Sequence, residues 1–206
     1  MQVHKALVIS AHTDDAEMGC GATVAQLLED GAEVYACAFS TGNPETGATQ
    51  EEWKNAAQVL GLDPGRLFWK TCTCREFAKD RQRVLDFLIM LRASVGPFDA
   101  VFCPSQWDRH QDHEVVRAET RRAFPHSTVL GYELIGACDG FVPTCLWPVE
   151  RRHVDRKWAA LACYTSQTRQ RAYMRREIVW GLATIRGMQA GVMFAEGYEV
   201  IRWVQA

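Results

Sequence analysis

The chain has 206 residues, 48% of them hydrophobic and 23% charged, which excludes disorder as the main state and leaves room for one good-sized domain. Its formal net charge of −2 excludes nucleic-acid binding through bulk charge. Its apolar runs, such as Leu85 to Leu91, are short of the roughly 20 residues that span a bilayer, so no membrane partner is expected.

No long apolar stretch precedes a cleavage site near Met1, so no signal peptide is expected. Eight cysteines are too few for a disulfide scaffold, and Cys37, Cys103 and Cys163 sit among apolar neighbours. Buried reduced thiols and a cytoplasmic location follow as the expectation. Cys72-Thr73-Cys74 has one intervening residue, where zinc pairs have two to four, and no second pair follows it.

Ala6 to Ser10 is a short continuous apolar run, the pattern of a strand buried on both faces. After a polar break at His12 to Asp15, Cys20, Val24, Leu27 and Leu28 recur at helical steps until Gly31. Glu33 to Phe39 is a second buried strand, and Gly42-Asn43-Pro44 with Gly47 marks a long loop. Glu51 to Leu60 is helical, Leu67 to Trp69 a short strand, and Phe77 to Ala93 a longer helix. Asp99 to Cys103 is the next strand, followed by a polar loop, a helix over Glu114 to Phe124, and a strand over Thr128 to Tyr132.

Alternating strands and helices predict a single-domain Rossmann-like α/β fold over 1–206, a mostly parallel sheet with helices on both faces. The last third reads less regularly. It holds an extended Val142 to Val149, helices over Arg152 to Cys163 and Arg169 to Arg186, and a late strand at Tyr198 to Val204.

Two polar loops follow predicted parallel strands, the position where such sheets bind ligands. One is Ala11-His12-Thr13-Asp14-Asp15-Ala16-Glu17; the other is Asp108-Arg109-His110-Gln111-Asp112-His113. Together they hold three of the six histidines. Two histidines and an aspartate suit a zinc ion, or another divalent metal, that keeps an open position. The competing reading is helix-capping acids beside surface histidines. The same residue types would also serve a non-haem iron enzyme, or a non-catalytic sugar or nucleotide binding module. His4, His126 and His153 have no partner at ligand spacing. Gly19-Cys20-Gly21 fails as a dinucleotide fingerprint because the third glycine would fall at Val24.

The two loops resemble a known family. His12-Thr13-Asp14-Asp15 with its flanks is similar to the Ala-His-Pro-Asp-Asp signature of the PIG-L/LmbE-like N-acetylglucosaminyl deacetylases, and His110-Gln111-Asp112-His113 to their His-x-Asp-His motif. Weaker similarities run through Ala56 to Gly61, Tyr164 to Gln167 and Ala195 to Tyr198. The resemblance implies that His12, Asp15 and His113 hold zinc and that Asp14 is the general base. It implies that His110 lies near the charge of the tetrahedral intermediate and that Asp112 orients a histidine. It also implies a small-molecule N-acetylated sugar conjugate as substrate, and it allows a homo-oligomer.

Trp107 is a candidate face for a sugar ring, and Arg109 a further substrate contact. Arg151-Arg152 and Arg175-Arg176 read as solvated helix charges, with recognition of an acidic substrate group as the alternative. Two departures stand out. Thr13 replaces the usual Pro, which removes a fixed φ from the loop. Thr49 replaces an Arg that commonly precedes the family's helical Glu, which predicts a preference for a neutral glycoside over an acidic conjugate.

Overall fold

The structure is a computed structural model that describes residues 2–40, 50–169 and 171–204. The strands are β1 (Lys5–His12), β2 (Glu33–Ser40), β3 (Leu67–Trp69), β4 (Ala100–Pro104), β5 (Thr128–Tyr132), β6 (Cys145–Val149) and β7 (Phe194–Arg202). They form one seven-stranded sheet in the order β3-β2-β1-β4-β5-β7-β6. The first five strands of that order are parallel, and β7 and β6 continue it antiparallel.

The helices are α1 (Asp15–Glu29), α2 (Gln50–Leu60), α3 (Arg81–Val95), α4 (Gln111–Ala123), α5 (Arg151–Leu161), the single turn α6 (Thr165–Thr168) and α7 (Arg176–Ala190). Side chains of β1 alternate between two cores, as a strand's period of two requires. Ala6 and Val8 pack with residues of α1, α2, α5 and α7, whereas Leu7, Ile9 and Ala11 pack with residues of α3 and α4. Leu88 of α3 is fully buried in the second core, and truncating such a leucine to Ala costs about 2–5 kcal/mol.

The strand order fixes where a ligand can sit. From β1 the chain moves to β2 on one side, while β4 lies against β1 on the other. The connections therefore diverge at the carboxyl ends of β1 and β4 and leave a crevice between them. Both polar loops picked out in the sequence open into that crevice.

Glycine and a buried acid shape α1, which carries half of the site. A side chain at Gly19 would collide with the ring of Tyr132, whose hydroxyl donates to the Ile9 carbonyl at 2.9 Å. The missing Cβ lets the start of α1 lie directly on the sheet. Cys20 then leaves helical geometry, with φ −140° and ψ 18°. Beyond this kink the freed N–H groups of Ala22 and Thr23 donate to Glu196 of β7, at 3.2 and 2.7 Å. Glu196 thus acts as a helix cap supplied from the far end of the chain.

Several predicted boundaries differ from the structure: β7 begins at Phe194 rather than at 198 and β6 at Cys145 rather than at 142, and three helix starts differ as well. α3 begins at Arg81 rather than at 77, because Phe77 is fully buried and its N–H is taken by Asp112 at 3.3 Å. α4 begins earlier than 114, since His110 caps it. The helix expected over 169–186 starts only at Arg176, after an extended Arg175 and a looped segment in which Met174 is buried. Residues 42–47 and Thr49 lie outside the described residues. Among the described residues, no helix is long and apolar enough to cross a membrane. None of the eight cysteines is in a disulfide.

Candidate metal and catalytic centre

His12 ends β1 and Asp15 opens α1, so a tight turn joins them. The Asp15 Oδ2 accepts the His12 N–H at 2.7 Å, which fixes the carboxylate beside the imidazole. His113 comes from the first turn of α4 across the crevice. His12 Nδ1 lies 3.1 Å from His113 Nε2. Asp15 Oδ2 lies 3.6 Å from His12 Nδ1 and 3.4 Å from His113 Nε2. A tetrahedral zinc with bonds of about 2.0–2.1 Å separates its ligands by about 3.3–3.4 Å. The three edges scatter around that value, so these atoms could share one ion without rearrangement.

The proton inventory agrees. His113 Nδ1 meets Asp108 Oδ2 at 2.6 Å, and His12 Nε2 meets Asp112 Oδ2 at 3.2 Å. Each carboxylate is an acceptor, so each takes the imidazole proton on its side and leaves the opposite nitrogen with a lone pair. Those two nitrogens and a carboxylate oxygen lie 3.1–3.6 Å from one another, an arrangement that favours a cation in place of protons. The same field acts on the imidazoles themselves. Although burial opposes the charged form, hydrogen bonds to Asp112 and Cys74 and the charge of Asp15 hold His12 well above the ordinary histidine range. His113 is raised in the same way by Asp15 and Asp108.

Asp112 is fully buried and is itself held by backbone donors, Arg75 N at 2.6 Å and Phe77 N at 3.3 Å. Asp108 also accepts the N–H of His110 at 2.8 Å. The donor atoms of His12, His110 and His113 lie within 4.8 Å of one another, as do those of His12, Cys74 and Asp112. His110 Nδ1, however, accepts the N–H of Asp112 at 3.2 Å as the cap of α4. Its neutral ring therefore carries the proton on Nε2. Burial, with the neighbouring His113 and His12, holds its pKa below the usual value and keeps the ring neutral. The residue that caps this helix is thus a histidine rather than an acid.

Asp14 precedes α1 but makes no side-chain capping bond, and it is among the residues that line the cavity. Burial and the charge of Asp15 raise its pKa to about 6. Glu17 is different. It is 2% exposed, its Oε2 has no hydrogen-bond partner among the described residues, and burial lifts its pKa to about 8. It is buried and is not among the residues that line the cavity.

The cavity holds about 300 Å³ and is lined by residues of both loops, by Leu134 to Ala137, and by Gln167, Arg171, Tyr173 and Met174. Trp107 and Arg109 do not line it. Trp107 is 38% exposed, and Arg109 pairs with Asp139 at 3.0 Å. The arginines near 151 and 175 are also elsewhere: Arg152 pairs with Glu29, and Arg176 lies over the Trp180 ring. Sequence reasoning missed Asp108 as the partner of His113, although it stood in the same motif. It also missed Tyr164, whose hydroxyl donates to the Thr13 carbonyl at 2.6 Å, and the wall residues Cys74, Arg75, Gln167, Arg171 and Tyr173.

Fold and site together define a Rossmann-like α/β domain with a His/Asp/His donor cluster at its switch point. Residues 7–124 match the family model described as PIG-L, GlcNAc-PI de-N-acetylase. The Escherichia coli K12 protein named uncharacterized deacetylase YaiS is 31% identical over 171 residues, covering 78% of this chain and 90% of YaiS. The chain belongs to the PIG-L family of de-N-acetylases. It is accordingly a deacetylase, an enzyme acting on an amide C–N bond. Two solved structures share the fold at a TM-score of 0.78. The conserved protein TT1542 of Thermus thermophilus is 23% identical, with 100% of this chain and 97% of that one covered. The N,N'-diacetylchitobiose deacetylase of Pyrococcus horikoshii is 19% identical, with 97% and 84% covered.

Proposed function

We propose that this chain is a zinc-dependent hydrolase that removes the acetyl group from a small N-acetylated sugar conjugate, with His12, Asp15 and His113 as the metal ligands. The near-equilateral triangle of their donor atoms carries the reading. The family description and the chitobiose deacetylase support a sugar amide as substrate. A bound divalent metal supplies a water acidified to near neutrality and a Lewis acid for the amide carbonyl.

The chain's own residues supply the rest. Asp14 accepts the proton of the attacking water, for which a pKa of about 6 is well matched near neutral pH. Its neighbour Asp15 is held in the triangle, so the two adjacent carboxylates divide the work. His110 lines the cavity, and its Nε2–H serves as the donor to the oxygen on which negative charge develops; such a donor is worth roughly 3–4 kcal/mol. Asp108 and Asp112 keep the two ligand imidazoles in the tautomers that expose lone pairs. Asp14 then carries the abstracted proton to the leaving amine.

Two measurements test this reading. Elemental analysis of purified protein should find about one zinc per chain, as expected for a three-ligand catalytic site. His113→Ala should lose most of it, whereas His110→Ala should keep the metal and lose rate. A screen of N-acetylated sugars for free amine should give turnover. Full high-affinity zinc in His113→Ala would sink the ligand assignment, and iron with oxygen uptake would replace hydrolysis.

A further inference from the structure

The cavity is graded from one end to the other. Arg75, Gly136 and Arg171 are exposed and mark its mouth, whereas Met18, Leu134 and Met174 are buried and mark its inner end. A sugar carries hydroxyls that are costly to strip of water, and an acyl chain is apolar. An N-acylated sugar therefore enters with its acyl group inward. Met18 stands at that end for a helical reason. It lies four residues after Asp14, whose carbonyl accepts the Met18 N–H at 3.0 Å, so the two residues share one face of α1. The acyl group of an amide held at Asp14 meets Met18 next.

Met18 and Ile135 also line a second hollow, of about 20 Å³, and so form the partition between it and the cavity. On its far side the hollow is bounded by Ile178, Val179, Leu182 and Ala183, one face of α7 at helical steps. Ala183 is the small member of that face and leaves volume that a leucine would fill. The charged groups around the hollow are paired with one another, Arg186 with Glu133 at 2.7 Å and Lys157 with Glu196 at 2.6 Å, so an apolar occupant leaves no ion pair broken. A space of that size admits one group about as large as a water or a methyl. Methionine is unbranched, with three rotatable side-chain bonds, and adapts to irregular space where a branched side chain does not.

We propose that Met18 is a yielding end wall for the acyl group. Its thioether end withdraws into the hollow, and the enzyme then hydrolyses N-propionyl and N-butyryl amides as well as N-acetyl ones. This rests on the deacetylase reading of the same cavity. The bond chemistry is unchanged. The oxygen of water bonds to the acyl carbon and the acyl C–N bond breaks. Both protons of that water go to the leaving amine, and propanoate or butanoate is released in place of acetate.

The test compares amine release from the methyl glycosides of N-acetyl-, N-propionyl- and N-butyryl-glucosamine by zinc-loaded enzyme. A rigid acetyl pocket loses about 10–200-fold for one methylene too many. Wild type should instead keep kcat/KM for both longer amides within tenfold of the acetyl value. Ala183→Leu fills the hollow from the α7 side and should lower the butyryl-to-acetyl ratio at least tenfold. Met18→Ala removes the wall and should raise that ratio at least threefold. Ratios within one protein cancel a general loss of folded enzyme. If Ala183→Leu does not fold, Ala183→Val adds less volume and should lower the ratio at least threefold. Calorimetry on zinc-loaded Asp14→Asn protein reads the same ratios as affinities, apart from catalysis. A wild-type loss beyond tenfold for either longer amide, or a ratio that the Ala183 or the Met18 substitution leaves unmoved, would overturn the proposal, and acetate release would leave the deacetylase standing. Butyryl affinity within tenfold of acetyl, with no amine released from any glycoside, would keep the yielding wall and remove the catalytic reading. Neither binding nor release of any of the three would overturn both.

Discussion

The five parallel strands place His12 at the end of β1, Asp15 just past it, and the segment from Asp108 to His113 past the end of β4. The antiparallel strands β7 and β6 place no residue in the donor triangle or on the cavity wall. They hold the other half in shape. Glu196 of β7 caps the second part of α1 and pairs with the buried Lys157 of α5 at 2.6 Å. Tyr164, just after α5, ties down the loop between His12 and Asp14. A parallel strand sends its chain out of the sheet at one end, so neighbouring strands offer loops to a common crevice. An antiparallel extension offers no such crevice and serves here as a brace. The division predicts two kinds of variant, those that change chemistry at constant stability and those that change stability first.

The largest effect expected is at Asp14. Asp14→Asn should lower kcat by about 10²–10⁴ while zinc content and melting temperature stay at wild-type values. Activity within threefold of wild type would put the base elsewhere.

Glu196→Ala should do the reverse. It leaves Lys157 charged and buried and two helix N–H groups without their acceptor, so a loss of about 3–5 kcal/mol is expected from denaturant midpoints. At low temperature the folded fraction should retain its zinc. A loss under about 1 kcal/mol would mean that water or another acceptor substitutes for the brace.

Asp108→Asn sharpens the boundary within the parallel half. Exchanging the charged acceptor of His113 Nδ1–H for a neutral amide, which can serve only one of the two N–H groups that Asp108 accepts, should weaken zinc binding about 10–100-fold, read by competition with a chelator, with little change in melting. Unchanged affinity would show that packing alone orients the ring.

Tyr164→Phe crosses the two regions. It strands the Thr13 carbonyl and should cost about 1–3 kcal/mol, and kcat should fall with it because that loop carries Asp14. A stability loss with full activity would confine Tyr164 to bracing.

The smallest effect concerns the surface between α1 and α5. Hydrogen bonds from Arg152 and His153 lower the Glu29 pKa from 4.5 to about 2. A carboxylate lowered on folding contributes stability above its unfolded pKa and loses it as pH falls through the folded one. Wild type should therefore lose more melting temperature than Glu29→Gln as pH falls from the unfolded value of 4.5 to about 2. Parallel pH curves for the two proteins would show that the pair adds nothing measurable.

The strand and helix pattern of the first two thirds was readable because it rests on local periodicity, and so were the two loops, which are dense in one kind of chemistry. His12, Asp14, Asp15, His110 and His113 meet in one cavity. Trp107, adjacent in sequence to the second loop, is not among the residues that line the cavity and is 38% exposed. Adjacency along the chain says little about direction once a loop bends, and Asp108 takes the inward place instead.

The order of apolar and polar residues by itself determined that β1 and β4 are buried parallel strands, and hence that both motifs emerge at one edge. It also carried the residue types of a metal site. Tertiary structure alone decided which atoms face each other. It turned Asp108 and Asp112 toward different histidines, brought Cys74 and Arg75 to the crevice by delaying α3 to Arg81, and set Arg171 on the opposite loop. The reason is physical. Periodicity encodes which face of an element is buried, whereas these placements depend on hydrogen bonds between residues such as Arg75 and Asp112, 37 apart in sequence, and Ala22 and Glu196, 174 apart. Such pairings leave no periodic trace in the chain and exist only when the sheet has brought the partners together.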